Sequence, residues 1–160
     1  FGSAFSIGFD GTNGWSQSDQ GIRELDGAHL SRLKQEADFS SSLNLREKYQ
    51  NLRVIGKLPV GDHQAYVVQG NLSADKRLER LFFDTESGLL LRIFFRETTP
   101  LGPLPEETDF DDYRDVNGIK LPFSVLHLGS DRSYKDVCSE ILQNTPVDDA
   151  RFGRPVDSPK

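Results

Sequence analysis

A cluster of four aspartates is the densest group of chemically active side chains in the sequence: Asp109, Asp111, Asp112 and Asp115. A calcium loop of this spacing needs an acidic or amide side chain where Tyr113 stands and glycine where Arg114 stands, so that motif is not met. If the stretch is a strand, alternation places every aspartate except Asp112 on one face. Carboxylates on one face suit a hard cation or acid–base chemistry, but a solvated strand face before a hairpin explains the same pattern.

The other residues with catalytic or metal-binding chemistry are isolated in the sequence. His29, His63 and His127 each stand alone, and no zinc-type spacing of His or Cys is present. Cys138 is the single cysteine, and the alternating apolar stretch around it predicts a packed strand thiol. No nucleophile elbow, phosphate loop or dinucleotide fingerprint is present. We therefore predict no catalytic residues, no metal and no cofactor.

Arg92 interrupts an otherwise apolar segment, Leu89 to Phe95. A buried arginine is unfavourable unless it is paired, so its position needs an explanation. It either extends to solvent at a sheet edge or acts as a latch. A latch would hydrogen-bond the carbonyls of a covering element or meet the polar head of a ligand.

Apolar side chains exceed what the predicted helical segment can cover, because several predicted strands are apolar on both faces. A ligand, a partner or a missing segment must cover the remainder. The residues predicted to line this surface are Phe5, Ile7, Phe9, Phe83, Leu91, Ile93, Phe95 and Phe123.

Four hairpin signals arrange these residues into antiparallel strands: Asp10 to Gly14, Gly61-Asp62, Asp84 to Gly88 and Asn117-Gly118. Gly and Asn tolerate the positive φ that tight hairpins require. Together with alternating apolar runs, they predict about ten strands in an up-and-down meander, a mainly β (α+β) fold.

Helical periodicity is limited to one short region. Leu30, Leu33 and Ala37 share a helical stripe that begins at Ala28, and Leu43 to Tyr49 is a weaker helical turn. The Pro-rich stretch Thr99 to Pro105 is predicted to be a loop. Residues 144–160 are predicted to be an extended tail.

Composition limits the classes of protein that this chain can belong to. Its 160 residues suit one domain, and its net charge of −6 argues against a nucleic-acid partner. No apolar run is long enough to span a membrane. The sequence lacks Met and begins with Phe1, so we expect a fragment or processed product without its N-terminal segment.

Four stretches resemble the outer-membrane lipoprotein carrier (LolA/LolB-like) superfamily, in particular acidobacterial-type exported homologues. They are GFDGTNGW, LFFDTESGLLLR, DFDDYRDVNGIKLPF and NTPVDDARFGRP. The resemblance covers the chain from about Phe5 to Phe152 and implies a curved antiparallel sheet that forms an incomplete barrel with helices packed on it. It further implies a non-catalytic periplasmic protein that binds lipoprotein acyl chains.

Two non-enzymatic hypotheses are favoured over a third, an enzyme that uses the carboxylates of Asp109 to Asp115, because no base, nucleophile and orienting group coincide in the sequence. The chain is a periplasmic carrier or binding domain for an acyl chain or another apolar ligand. Alternatively, it is an accessory domain of a larger exported protein. Its apolar face would then pack on another domain of the same chain or on a homodimer mate.

Overall fold

Ten β-strands, two α-helices and one 3-10 helix form the part of the chain that the structure describes. The structure is a computed structural model and describes residues 5–38, 44–73, 75–100, 102–130 and 132–155. The strands are β1 (Ser6–Phe9), β2 (Gly14–Ser18), β3 (Gly21–Leu25), β4 (Tyr49–Val60), β5 (His63–Leu72), β6 (Leu78–Asp84), β7 (Leu90–Thr99), β8 (Gly102–Val116), β9 (Ile119–Leu128) and β10 (Ser133–Val137). The helices are α1 (Gly27–Glu36), α2 (Leu45–Lys48) and the 3-10 helix Asp149–Phe152.

The chain divides into two compact units. One comprises Phe1–Leu45 with Thr145–Lys160, and the other comprises Arg46–Asn144. In the first unit, β1, β2 and β3 form an antiparallel meander. Helix α1 packs on this sheet at Gly14, where a Cβ atom would lie 2.8 Å from the side chain of Leu33 and 3.1 Å from that of Leu30. The predicted stripe is therefore confirmed for Leu30 and Leu33, whereas its third member, Ala37, follows the end of α1 and is exposed.

The second unit is one antiparallel sheet in the order β10-β9-β8-β7-β6-β5-β4. Every strand pairs with its neighbour in sequence, as expected for an up-and-down meander. Strands β4 and β10 form its two edges, so the sheet is not closed into a barrel. The predicted mainly antiparallel, incompletely closed architecture is thereby confirmed.

The two faces of this sheet follow from its register, because directly opposite residues point to the same side. The face that we call the Ile93 face includes Val68, Leu81, Phe83, Ile93, Phe95, Phe110, Phe123 and Val125. The opposite face, the Arg92 face, includes Gln69, Arg80, Arg92, Glu107, Asp109, Asp111, Asp115 and Lys120. The Arg92 face also carries an apolar cluster of Ala65, Val67 and Phe82, against which Val60, Leu91 and Phe94 pack, and it includes Leu126 and Leu128. Most polar strand residues therefore lie on one side, and most large apolar residues lie on the other.

The hairpin predicted at Asn117-Gly118 is present, with φ angles of 53° and 86° that belong to the left-handed region. The residues on either side of it pair directly, Val116 with Ile119. Asp10 accepts hydrogen bonds from the backbone N–H groups of Thr12 and Asn13, which fixes the first predicted turn. In both turns a short polar side chain or a positive φ closes the hairpin, as the sequence indicated.

Asp84 closes the β6–β7 turn, and its side chain is only 6% exposed. It accepts hydrogen bonds from the hydroxyl and the backbone N–H of Ser87, and His63 Nδ1 lies 3.6 Å away. The hydrogen bond from the Ser87 hydroxyl is the largest of the effects that hold the pKa of Asp84 below its ordinary value of 3.8.

We expect Asp84→Asn to reduce the acid sensitivity of the fold. Because the pKa of Asp84 is lower in the folded state, its ionised form stabilises the protein above about pH 4. That stabilisation is lost as the pH falls through the folded-state pKa. The Tm of Asp84→Asn should therefore lie below wild type at about pH 6 and approach it at about pH 3. Thermal unfolding at both pH values tests this, and exposed Asp62→Asn should track wild type. A pH-independent difference for Asp84→Asn would contradict the prediction.

Two local predictions are wrong. The stretch Thr99 to Pro105 is not a loop, because β7 continues to Thr99 and β8 begins at Gly102. Its prolines are tolerated because pairing of β8 with β9 begins only at Glu107, so the earlier part of β8 is an edge. Cys138 is exposed and follows the end of β10, so it is not a packed strand thiol.

Strand β4 is a long edge strand with an irregular register. Its pairing with β5 shifts between Gln50 and Arg53 and again between Val54 and Gly56. Asn51 has a φ of 56° and Gly56 a φ of 155°. These bulges bend and twist the strand, and Pro59 near its end adds a residue without an N–H donor.

Candidate functional site

A single row of directly opposite residues crosses all seven strands on the Ile93 face. Its members, from β4 to β10, are Val54, Val68, Leu81, Ile93, Thr108, His127 and Tyr134. The β4 half of the row is aliphatic, and the β10 half carries a hydroxyl, an imidazole and a phenol. Leu81 is 1% exposed, whereas Val68, Ile93 and Thr108 are half-buried. The row therefore provides an apolar strip with a polar end.

The predicted ligand-lining residues are divided between the two units. Phe5 and Ile7 are 64% and 51% exposed, and Phe9 is half-buried in β1. In the larger sheet, Ile93 and Phe95 lie opposite Leu81 and Glu79. Of the residues predicted to line a ligand, Phe83, Ile93, Phe95 and Phe123 lie on the Ile93 face.

Leu91 differs from this group because a bulge interrupts the register of β6 and β7. The pair Phe82–Arg92 is followed by Phe83–Leu90, which leaves Leu91 without an opposite partner. Its side chain packs against the Ala65, Val67 and Phe82 cluster. Leu91 therefore lies with the residues of the Arg92 face. Strict alternation cannot identify such a bulge.

A buried charged network lies among the apolar residues of the Ile93 face. Glu79 is 4% exposed and accepts a hydrogen bond of 2.6 Å from the Tyr49 hydroxyl. Its other oxygen accepts hydrogen bonds from Arg77, at 2.6 Å from one terminal nitrogen and 3.1 Å from Nε. Arg77 also donates to Glu97 at 3.2 Å and stacks on the Phe95 ring, 3.8 Å from its centroid. Sequence reasoning did not identify this network, because Tyr49 and Glu97 are brought to Glu79 and Arg77 only by the register of the sheet.

Burial and the neighbouring charges shift the pKa values of Tyr49 and Arg77 in this network. Burial is the main effect that raises the pKa of Tyr49 above its usual range, and the neighbouring Glu79 carboxylate adds to it. Burial alone would lower the pKa of Arg77, but hydrogen bonding and attraction to Glu79 outweigh it and raise the pKa. The tyrosine therefore remains a neutral donor and the arginine a cation. Removal of one partner from such a buried pair would leave the other charge uncompensated.

Arg92 is paired rather than simply extended into solvent. It donates from Nε and one terminal nitrogen to the two oxygens of Asp109, both at 2.6 Å. It also lies 2.9 Å from Glu107. The hydrogen bond with Asp109 is the main cause of the raised pKa of Arg92, whereas burial is the main cause of the raised pKa of Glu107. The latch role of Arg92 stays a prediction.

The aspartate cluster is distributed over separate local contacts. Asp109, Asp111 and Asp115 lie on one face by register, as alternation predicted. Asp112 pairs with Arg114, and Asp115 accepts a hydrogen bond of 2.9 Å from the backbone of Gly118. Within the described ranges, no three His, Cys, Asp or Glu side chains are gathered to hold a metal ion.

His127 is held by three neighbours on the Ile93 face. Its Nε2 lies 3.4 Å from an Asp136 carboxylate oxygen, and its Nδ1 lies 3.4 Å from the Thr108 hydroxyl. The ring stacks on Tyr134 with centroids 4.5 Å apart, and its side chain is 31% exposed. In the sequence His127 is one of three isolated histidines. Its contacts with Thr108, Asp136 and Tyr134 follow only from the register of β8, β9 and β10.

A groove of about 370 Å³ lies beside the first bulge of β4. Its lining is mainly polar, and none of the predicted ligand-lining residues borders it: the lining residues are Asn51, Arg53, Gln69, Gly70, Asn71 and Leu78. The groove therefore has the wrong lining for an acyl chain, which needs a predominantly apolar site.

The fold is shared with three solved structures. A domain from Vibrio parahaemolyticus, described as an outer membrane lipoprotein-sorting protein, matches with a TM-score of 0.61 and 14% identity over 94% of this chain and 68% of that chain. A LolA superfamily protein from Nitrosomonas europaea matches with a TM-score of 0.55 and 13% identity over 89% of this chain and 66% of that chain. A DUF1329 family protein from Desulfovibrio piger matches with a TM-score of 0.61 and 14% identity over 95% of this chain and 69% of that chain.

These matches establish a LolA-like fold, as the sequence resemblance implied. The chain spans about two thirds of the length of each of the three structures. No protein-family model matches the sequence, and no curated protein matches it. Of the helices in the described residues, none has both the length and the apolar character needed to cross a membrane.

Proposed function

We propose that this chain, with its LolA-like fold, is a non-catalytic carrier or binding domain for lipoprotein acyl chains or a similar apolar ligand in the bacterial periplasm. The observation that supports this proposal most is the uneven distribution of large apolar side chains over the two faces of the sheet. Large apolar side chains collect on the Ile93 face, while most charged strand residues lie on the Arg92 face. An acyl chain needs a predominantly apolar surface, and the apolar residues of the Ile93 face on β5, β6 and β7 support this role.

The aliphatic strip on this face has a suitable length for an acyl chain. From Val68 on β5 to Thr108 on β8 it crosses three strand spacings, which corresponds to about 14 Å. Phe83 and Phe95 flank the strip through their positions beside Leu81 and Ile93. The charges of the Arg77–Glu79 pair are compensated within the protein, so they leave no isolated charge facing an apolar ligand.

A titration with the neutral apolar dye Nile red tests this proposal. We expect saturable binding to the full chain and about fivefold weaker binding to Ile93→Thr, which replaces apolar with polar surface on the Ile93 face. The matched control is Leu58→Thr, because Leu58 is 50% exposed and lies on the Arg92 face opposite Ala65. Absence of saturable binding, or equal weakening by both substitutions, would contradict the proposal.

The alternative function, an interaction domain, is favoured by apolar residues at the β4 side of the same face. Val54 is 64% exposed and Tyr66 is 40% exposed. Exposed apolar surface of this kind suits a neighbouring domain or a second copy of the chain. Sedimentation analysis separates the two functions: a monomer that binds Nile red supports the carrier. A dimer that loses dye binding as it forms supports the interaction domain.

A further inference from the structure

The cross-strand row on the Ile93 face is aliphatic at one end and polar at the other, so a bound amphiphile would have one preferred orientation. The half-buried Val68 and Ile93, which flank the buried Leu81, lead to Thr108, and His127 follows on the next strand. A ligand with one apolar chain and one polar end that lies along this row would therefore place its polar end at Thr108 and His127. This step rests on the proposed function, since it assumes that the Ile93 face binds the chain.

Thr108 and His127 are oriented before any ligand arrives. Stacking on Tyr134 and contact with Asp136 hold the imidazole on one side, and the Thr108 hydroxyl contacts its Nδ1 on the other. A hydroxyl offers one donor and two acceptor positions, so this single contact leaves Thr108 able to bond a further group. Both residues are partly exposed, which leaves them accessible.

The charges around this pair favour a neutral polar group over an anion. The Asp136 carboxylate lies 3.4 Å from Nε2 of His127 and places a negative charge beside the pair. Glu106 lies on the same face, two residues from Thr108 along β8, and adds a negative charge. The Arg132 guanidinium lies over the Tyr134 ring, 5.3 Å from its centroid. A carboxylate would therefore meet two acidic side chains here, whereas a hydroxyl or an ester would meet only hydrogen-bonding partners.

We propose that Thr108 and His127 bind the uncharged, hydrogen-bonding head of a single-chain amphiphile, such as an acylglycerol, and orient its acyl chain toward β5. The ligand class is thus a neutral acyl ester rather than a free fatty acid. The protein selects it through the hydrogen bonds that these two residues supply.

Competition with bound Nile red tests the inference with 1-monolauroylglycerol and laurate, each below its micelle concentration. We expect the monoacylglycerol to displace the dye from wild type at about five- to tenfold lower concentration than laurate, the effect of one to two hydrogen bonds. Thr108→Val, which keeps the side-chain shape, and His127→Phe, which keeps an aromatic ring against Tyr134, should each reduce this ratio to about twofold.

The matched control is Thr98→Val, because Thr98 is an exposed threonine on β7 opposite Pro103, away from the row. It should keep the wild-type ratio. If Nile red binds but both Thr108→Val and His127→Phe retain the wild-type ratio, or laurate is preferred by wild type, the inference is wrong and the carrier function stands. If Nile red does not bind at all, the proposed function fails and the inference fails with it.

Discussion

Replacing Glu79 with alanine is expected to lower the free energy of unfolding by about 3 to 5 kcal/mol, the usual effect of removing one partner from a buried ion pair. Arg77 is 18% exposed and would lose its main counter-charge, and the Tyr49 hydroxyl would lose its acceptor. The loss arises mostly from leaving these two groups unsatisfied in an apolar environment. Urea unfolding followed by tryptophan fluorescence and circular dichroism measures it.

Two further variants determine whether the unpaired charge causes this effect. Glu86→Ala changes an exposed glutamate in the β6–β7 turn and should shift the free energy of unfolding by no more than about 0.5 kcal/mol. The double variant Arg77→Met with Glu79→Leu removes both charges and should recover much of the stability lost in Glu79→Ala. If the double variant is less stable than Glu79→Ala, the pair contributes more than charge compensation and this interpretation is wrong.

Leu81→Ala is expected to lower the free energy of unfolding by about 2 to 5 kcal/mol. Leu81 is among the most deeply buried large side chains, at 1% exposure, and lies directly between Val68 and Ile93 in the cross-strand row. Truncation removes buried methyl groups and leaves a cavity that β-sheet neighbours cannot easily fill.

The matched control for Leu81→Ala is Leu142→Ala, because Leu142 is 65% exposed and lies outside the strands. We expect it to change the free energy of unfolding by no more than about 0.5 kcal/mol. Denaturant midpoints of the two variants, measured with equal m values, give the comparison. A Leu81→Ala protein as stable as Leu142→Ala would show that the centre of the row contributes little to the packed interior.

Local backbone chemistry explains why the hairpins were predictable from the sequence. Asn117 and Gly118 adopt the positive φ that their residue types favour, and Asp10 caps its turn through its own side chain. The alternation of Asp109, Asp111 and Asp115 was also correct, because β8 and β9 keep one register throughout. Where the sequence determines the structure within a few residues, the interpretation was reliable.

Features that depend on contacts across the sheet were not predictable in this way. The β6–β7 bulge separates Leu91 from Ile93, although their spacing of two predicted a shared face. Tyr49 reaches Glu79 from a strand 30 residues away, and Thr108 reaches His127 from a strand 19 residues away, so these contacts have no local signature. The Pro-rich segment became a strand because only one side of it needs to pair.

The irregular geometry of β4 has a consequence for how the protein behaves at high concentration. A long, flat outer strand would offer a template on which other chains could extend the sheet and form fibrils. The two register shifts in β4, together with Pro59, interrupt the regular spacing of outward donors and acceptors that such growth requires. The irregular edge strand β4 is therefore expected to resist the addition of further chains, which limits aggregation at this edge of the sheet.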